Sequence, residues 1–148
     1  MIFSKSFGYA LRGILYVAMM SDEKRKIRID EMANRLSVPR HFLGKIMNRV
    51  VKTGILNSIK GPNGGFSLND TTLKTPLLTL LESIDGLEQF DGCVLRLRKC
   101  NADFPCPLHY KIQASKNDLK NVLANTDIGS LMKEDKPEFI RSISAVYE

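Results

Sequence analysis

The sequence predicts a mainly α-helical fold, a winged helix-turn-helix head followed by a long C-terminal dimerisation helix. The first observation is an order of elements: a short helix, a proline break, a basic amphipathic helix and a glycine-tipped hairpin succeed one another between residues 30 and 68. The second is charge. Residues 1–70 carry twelve Lys/Arg against five Asp/Glu, and residues 71–148 carry ten against eleven, so the whole net charge of +6 arises in the first half. The third is that all three cysteines and one of the two histidines fall between Cys93 and His109.

Phe7, Ala10, Leu11, Ile14, Leu15 and Ala18 recur at helical spacing, so residues 7–18 read as an amphipathic helix. Residues 21–26 read as a solvated turn and Ile27–Ile29 as a short strand. Asp30 is placed to cap a helix over Glu31–Leu36. Pro39 breaks that helix and suits the first position of the next. Phe42, Leu43, Ile46, Met47 and Val50 then form one apolar stripe, with Arg40, His41, Lys45, Arg49 and Lys52 mostly off it. Gly54 ends this helix. Two short apolar segments flank Gly61-Pro62-Asn63-Gly64-Gly65, which predicts a β-hairpin with an exposed tip. Thr75 caps a further helix with Pro76 at its first position and Leu77, Leu78, Leu80, Leu81 and Ile84 inside, ending at Gly86. After the turn-rich cysteine stretch, a helix runs from Pro107 to about Asn125 with Ile112, Leu119, Val122 and Leu123. A last helix starts near Pro137.

These elements divide into a DNA-binding head over residues 1–72 and a helical dimerisation region over residues 73–148, with a cysteine loop at 91–107, together one compact domain. In such a head the Pro39–Lys52 helix enters the major groove and the hairpin tip reaches backbone or minor groove. Basic surface attracts polyanions and releases counterions on meeting phosphate. The candidate DNA contacts are Pro39, Arg40, His41, Lys45 and Arg49 on the helix and Lys60, Gly61, Pro62, Asn63 and Gly64 at the wing. Glycines at the tip let the backbone approach phosphates. The expected partners are double-stranded promoter DNA and a second copy of the chain, because a two-fold homodimer is the usual reader of paired half-sites. The longest apolar stretch, around Gly13–Met20, is too short to span a bilayer, and the N-terminus lacks a secretory signal, so a cytoplasmic protein is expected. Cys106 with His109 as a nucleophile–base pair lacks a third orienting group, so no enzyme activity and no small-molecule substrate are expected.

In a reducing compartment, clustered cysteines suggest metal or redox chemistry more than disulfides. The spacing C-x6-C-x5-C-x2-H has none of the short paired hooks of zinc knuckles. Thiolates suit iron–sulfur clusters, wide gaps suit a loop wrapped around something larger than one ion, and His can replace Cys on an iron. Cys93, Cys100, Cys106 and His109 are therefore the candidate ligands. Pro107 is placed to open the long helix, with Cys106 at its N-terminus and His109 on the same side of the first turn. The alternatives are a cluster-free thiol switch and a structural zinc site.

Four segments carry a likeness: Tyr9–Ala18, Val38–Leu56, Ser58–Leu68, and the three cysteines after the Leu77–Gly86 helix. With them the chain resembles the Rrf2 family of bacterial regulators, its IscR-like and NsrR-like iron–sulfur members in particular. The resemblance implies a homodimeric transcription factor, usually a repressor, whose DNA binding follows the state of a cluster and so senses iron, redox or nitric oxide status. It places the three thiolates at Cys93, Cys100 and Cys106, and matches His109 to the histidine that completes a 2Fe–2S site. Members with a 4Fe–4S cluster carry an acidic ligand in the first helix. Gly8 at the comparable place cannot ligate, which favours 2Fe–2S over 4Fe–4S. The first cysteine gap, filled by Val94–Lys99, is one residue longer than usual in IscR-like members. Gly44 stands where those members carry an acidic residue used in DNA discrimination.

Overall fold

Apolar side chains every three or four residues build the first helix, and its neighbours close around it. In the computed structural model, which describes residues 3–23, 26–93, 95 and 99–144, α1 spans Lys5–Met19. Ser4 caps it by accepting from the Phe7 amide at 3.1 Å. Phe7, Ala10, Ile14, Leu15, Tyr16, Val17 and Ala18 are all buried. The helix-turn-helix follows as α2 (Ile29–Leu36) and α3 (Arg40–Lys52), joined through Ser37 in the left-handed conformation at φ 55°.

Three local expectations are corrected here. Ile27–Ile29 is no strand: Ile27 makes one antiparallel bridge with Phe66, and Ile29 already opens α2. Asp30 is not the cap, since Arg28 holds that position. With Asp30 and Glu31 both in the first turn, the helix places two carboxylates against its positive end. Pro39 lies just outside α3, its extended ψ of 123° making it the cap. The apolar stripe also loses a member. Leu43, Ile46, Met47 and Val50 are buried, but Phe42 is 57% exposed. It precedes Leu43 by one residue, about 100° around the helix, and so sits at the edge of the buried face.

The wing pairs β1 (Asn57–Ile59) with β2 (Gly65–Ser67) in antiparallel register, Ser58 opposite Phe66. Ile27 binds the far edge of Phe66 through two 2.8 Å hydrogen bonds, joining the wing to the head. The glycines at its end serve packing first. A Cβ on Gly64 would lie 1.9 Å from the Ile59 carbonyl oxygen, and one on Gly65, at φ 146°, 2.8 Å from the Ile27 carbonyl oxygen.

A 3₁₀ turn at Thr72–Lys74 leads to α4 (Leu77–Asp85), which Gly86 ends at φ 75°. Thr72 is fully buried, its hydroxyl donating to the Ile55 carbonyl at 2.6 Å. Pro76, not Thr75, is the capping residue of α4. After the cysteine stretch, α5 covers His109–Ala124 and α6 covers Lys136–Ile143. The α5 start is two residues later than predicted, because Pro107 and Leu108 form a turn whose closing bond runs from the His109 amide to the Cys106 carbonyl at 3.0 Å. Lys136 reaches back to Asp22 and Glu23, each at 2.8 Å, and holds the Asp22 carboxyl below its usual pKa. No helix among the described residues is long and apolar enough to cross a membrane.

Two outcomes follow from the packing. Burial, with the Glu31 carboxylate accepting from its hydroxyl at 2.9 Å, pushes the Tyr16 phenol from 10.0 up to about 12. The phenol's stabilising contribution is complete below pH 10 and is lost as pH rises towards 12. Urea melts at fixed pH should show stability falling more steeply across that window in the native chain than in Tyr16→Phe. Gly64→Ala should cost at least ~1–3 kcal/mol through backbone displacement at the wing, read by thermal or urea melts.

Candidate nucleic-acid interface and metal centre

Opposite its buried stripe, α3 presents His41, Lys45, Asn48 and Lys52 at spacings of four, three and four residues, all exposed. No acidic residue lies in the first turn of α3, and Arg49 and Lys52 stand in its last turn. Between α3 and the wing lies a groove of about 220 Å³, bordered by Gly44, Asn48, Ser58, Ile59 and Lys60. A Cβ on Gly44 would meet only Ile29, at an ordinary 3.8 Å, so the missing side chain widens the groove without any backbone need for glycine.

The structure distributes the expected DNA contacts unevenly. His41, Lys45, Lys60, Pro62 and Asn63 are exposed, as are Pro39 and Gly61. Gly64 is buried beneath the wing tip. Arg40 is exposed and paired with Asp30 of α2. Arg49 is also exposed, with its Nη2 donating to the Ile84 carbonyl at the end of α4 at 2.8 Å. Two residues escape a reading of the sequence alone. Arg28 donates to the Pro62 and Gly61 carbonyls at 2.9 and 3.3 Å and braces the wing tip. Asn48 stands on the outer face of α3 beside the wing. The helical period could have found Asn48, whereas the contact of Arg28 spans more than thirty residues and has no local signal.

The cysteine stretch is folded back on α5. A bridge between Gly92 and Lys99 closes the loop, the Cys100 amide donates to the Asp91 carbonyl at 2.8 Å, and Lys116 of α5 donates to the Gly92 carbonyl at 2.6 Å. None of the three cysteines is in a disulfide, and each is half-buried. Cys93, Cys100, Cys106 and His109 all border one small enclosed depression, with Leu108 and Ile112 among its walls. His109 is only 7% exposed, and its Nδ1 lies 3.0 Å from the Cys100 sulfur. Its ring is held edge-on to Tyr110, with centroids 4.9 Å apart. Among the described residues, no three His, Cys, Asp or Glu side chains are gathered closely enough to share one metal ion. Cys106 precedes α5 and does not share its first turn with His109, contrary to the sequence expectation. Most of the basic filling of the first cysteine gap, Val94 and residues 96–98, lies outside the described residues.

Residues 3–134 match the Rrf2 family, described as iron-dependent transcriptional regulators. A protein of Aquifex aeolicus (strain VF5), described as an HTH-type transcriptional regulator, is 34% identical over 142 residues, which cover 94% of this chain and 97% of that protein. The HTH-type transcriptional regulator IscR of Vibrio campbellii is 22% identical over 86% of this chain and 75% of its own. Among solved structures, CymR, the global cysteine regulator of B. subtilis, superposes with a TM-score of 0.72 at 17% identity, covering 87% of this chain and 94% of its own. IscR of T. potens superposes with a TM-score of 0.65 at 14% identity, covering 91% and 94%. Both superpositions show the winged-helix fold, and the family is one of regulators, not enzymes. The chain belongs to the Rrf2 family of DNA-binding transcriptional regulators.

Proposed function

We propose that this chain is a homodimeric repressor whose grip on promoter DNA depends on an iron–sulfur cluster held by Cys93, Cys100, Cys106 and His109. The observation that carries the reading is the shared depression bordered by all four groups. A structural zinc site needs its ligands to converge on one point. Three thiols with an imidazole suit iron, but the depression they border is only about 10 Å³, so a cluster would require the cysteine loop to open away from α5. A bound cluster would supply iron–sulfur bonds that oxygen, nitric oxide or iron shortage can break. 2Fe–2S is favoured by the histidine.

The chain's own residues give that change an outlet. The loop hangs on the Asp91 carbonyl through Cys100, and Phe90 beside it is buried, with Lys120 of α5 over its ring at 5.6 Å. Six residues before Asp91, α4 ends at Asp85, and the carbonyl of Ile84 in its last turn accepts from Arg49 of α3. Ordering or releasing the loop shifts the population of α4–α3 arrangements, and so the spacing of two recognition helices in a dimer.

A second reading, a cluster-free thiol switch, is favoured by the 3.0 Å contact between the Cys100 sulfur and His109 Nδ1. Anaerobic purification with iron, zinc and acid-labile sulfide analysis separates the two. Iron and sulfide are expected in equal amounts, and lost in Cys106→Ala and His109→Ala. Metal-free protein whose promoter binding is reversed by oxidant and thiol would establish the switch instead.

For the DNA face, Lys45→Ala and Lys60→Ala should each weaken binding to any duplex and lower the slope of log affinity against log salt by about 0.9. Arg49→Ala should leave that slope unchanged and lower the melting temperature, because its guanidinium bonds α4.

A further inference from the structure

Phe42 has no role in either the core or the charge pattern of α3. It stands in the first turn of that helix, 57% exposed, with the His41 ring edge-on at a centroid distance of 5.9 Å. The core beneath is closed without it by Leu43, Ile46, Met47 and Val50. On the wing, Ile59 is likewise 51% exposed, so the surface facing DNA carries apolar groups among its cations. The N-terminal turn of a recognition helix is the part that reaches base edges. In the major groove those edges present one apolar group, the C5-methyl of thymine, and Phe is among the side chains that match it.

We propose that Phe42 is a specificity-determining residue that packs against a thymine methyl in each operator half-site. The proposal rests on α3 lying in the major groove. His41 and Lys45 flank the ring with donors for purine acceptors, and neither competes for a methyl. The contact transfers no charge and releases no counterion, so it adds selectivity where the lysines add attraction. Covering an aromatic ring also removes from water a surface that the folded head leaves wet.

The test uses the full chain and the tightest site it selects from random duplex DNA. Each thymine of that site is replaced in turn by deoxyuridine, which lacks only the methyl group. The native protein should lose about fourfold in affinity per methyl at one thymine in each half-site. Phe42→Ala should bind the thymine and uracil duplexes equally, with an unchanged salt slope, while Phe42→Leu should keep the discrimination. Melting curves of both variants should match the native chain, since the ring lies outside the core. Indifference of the native protein to every substitution would overturn the proposal, as would equal sensitivity in Phe42→Ala. Failure to select any sequence at all would remove the major-groove reading itself, a result distinct from either.

Discussion

The burial of α1 is the constraint on which the rest of the molecule depends. This helix packs against α2, α3, α4, α6 and β2, so the recognition helix, the wing and the C-terminal helices share one support. Close approach requires small residues on its surface: Ala10 is fully buried, and a Cβ on Gly13 would fall 2.5 Å from the sulfur of Met47 in α3. A close-packed contact of this kind has little room for independent sliding. Where α1 must also bury a polar group, at Tyr16, the hydroxyl finds the Glu31 carboxylate of α2. The head is therefore close-packed on one helix, which α4 and α6 of the C-terminal half also contact.

One point where α3 meets the C-terminal half is the end of α4. Its last carbonyls lack partners within the helix. The Ile84 carbonyl is met by the Arg49 guanidinium from α3, and the Asp85 side chain accepts from the Ser4 amide at 3.0 Å and from the Ser4 hydroxyl. Two elements of the head are thus fixed to one turn, immediately before the chain passes through Phe90 to the cysteine loop. A cationic group at a helix C-terminus is also favoured by the macrodipole. The recognition helix and the cysteine loop, forty residues apart in sequence, are separated here by one helix end.

Much of this arrangement was legible in the sequence, for reasons that also explain what was not. The helices and hairpin follow from local signals: apolar period, Pro39, Gly54, the glycine-rich tip. The grouping of Cys93, Cys100, Cys106 and His109 could be read because the four are close in sequence, and α5 brings His109 against Cys100. The errors came where a tertiary partner overrides a local preference. Ile27 looks like a strand residue and bridges only Phe66. Asp30 looks like a cap and instead sits in the first turn, paired with Arg40. Phe42 looks like core because hydrophobicity alone cannot distinguish a stripe's edge from its centre.

That last distinction bears on how such a surface can be selective. Lysines on α3 and the wing attract any duplex, and their contribution falls with salt whatever the base sequence. Discrimination must come from groups that meet base edges. Of the three residues expected to contact DNA from the first half of α3, Arg40 is paired with Asp30, leaving His41 and Lys45 as donors. Gly44 contributes no carboxylate, so the first turns of α3 hold no anionic acceptor for a cytosine amino group. A face that offers donors and one exposed ring, and lacks an acid, is suited to purine acceptors and thymine methyls. On the proposed reading, a bare Gly44 and an exposed Phe42 would act in the same direction, away from recognition through a cytosine amino group.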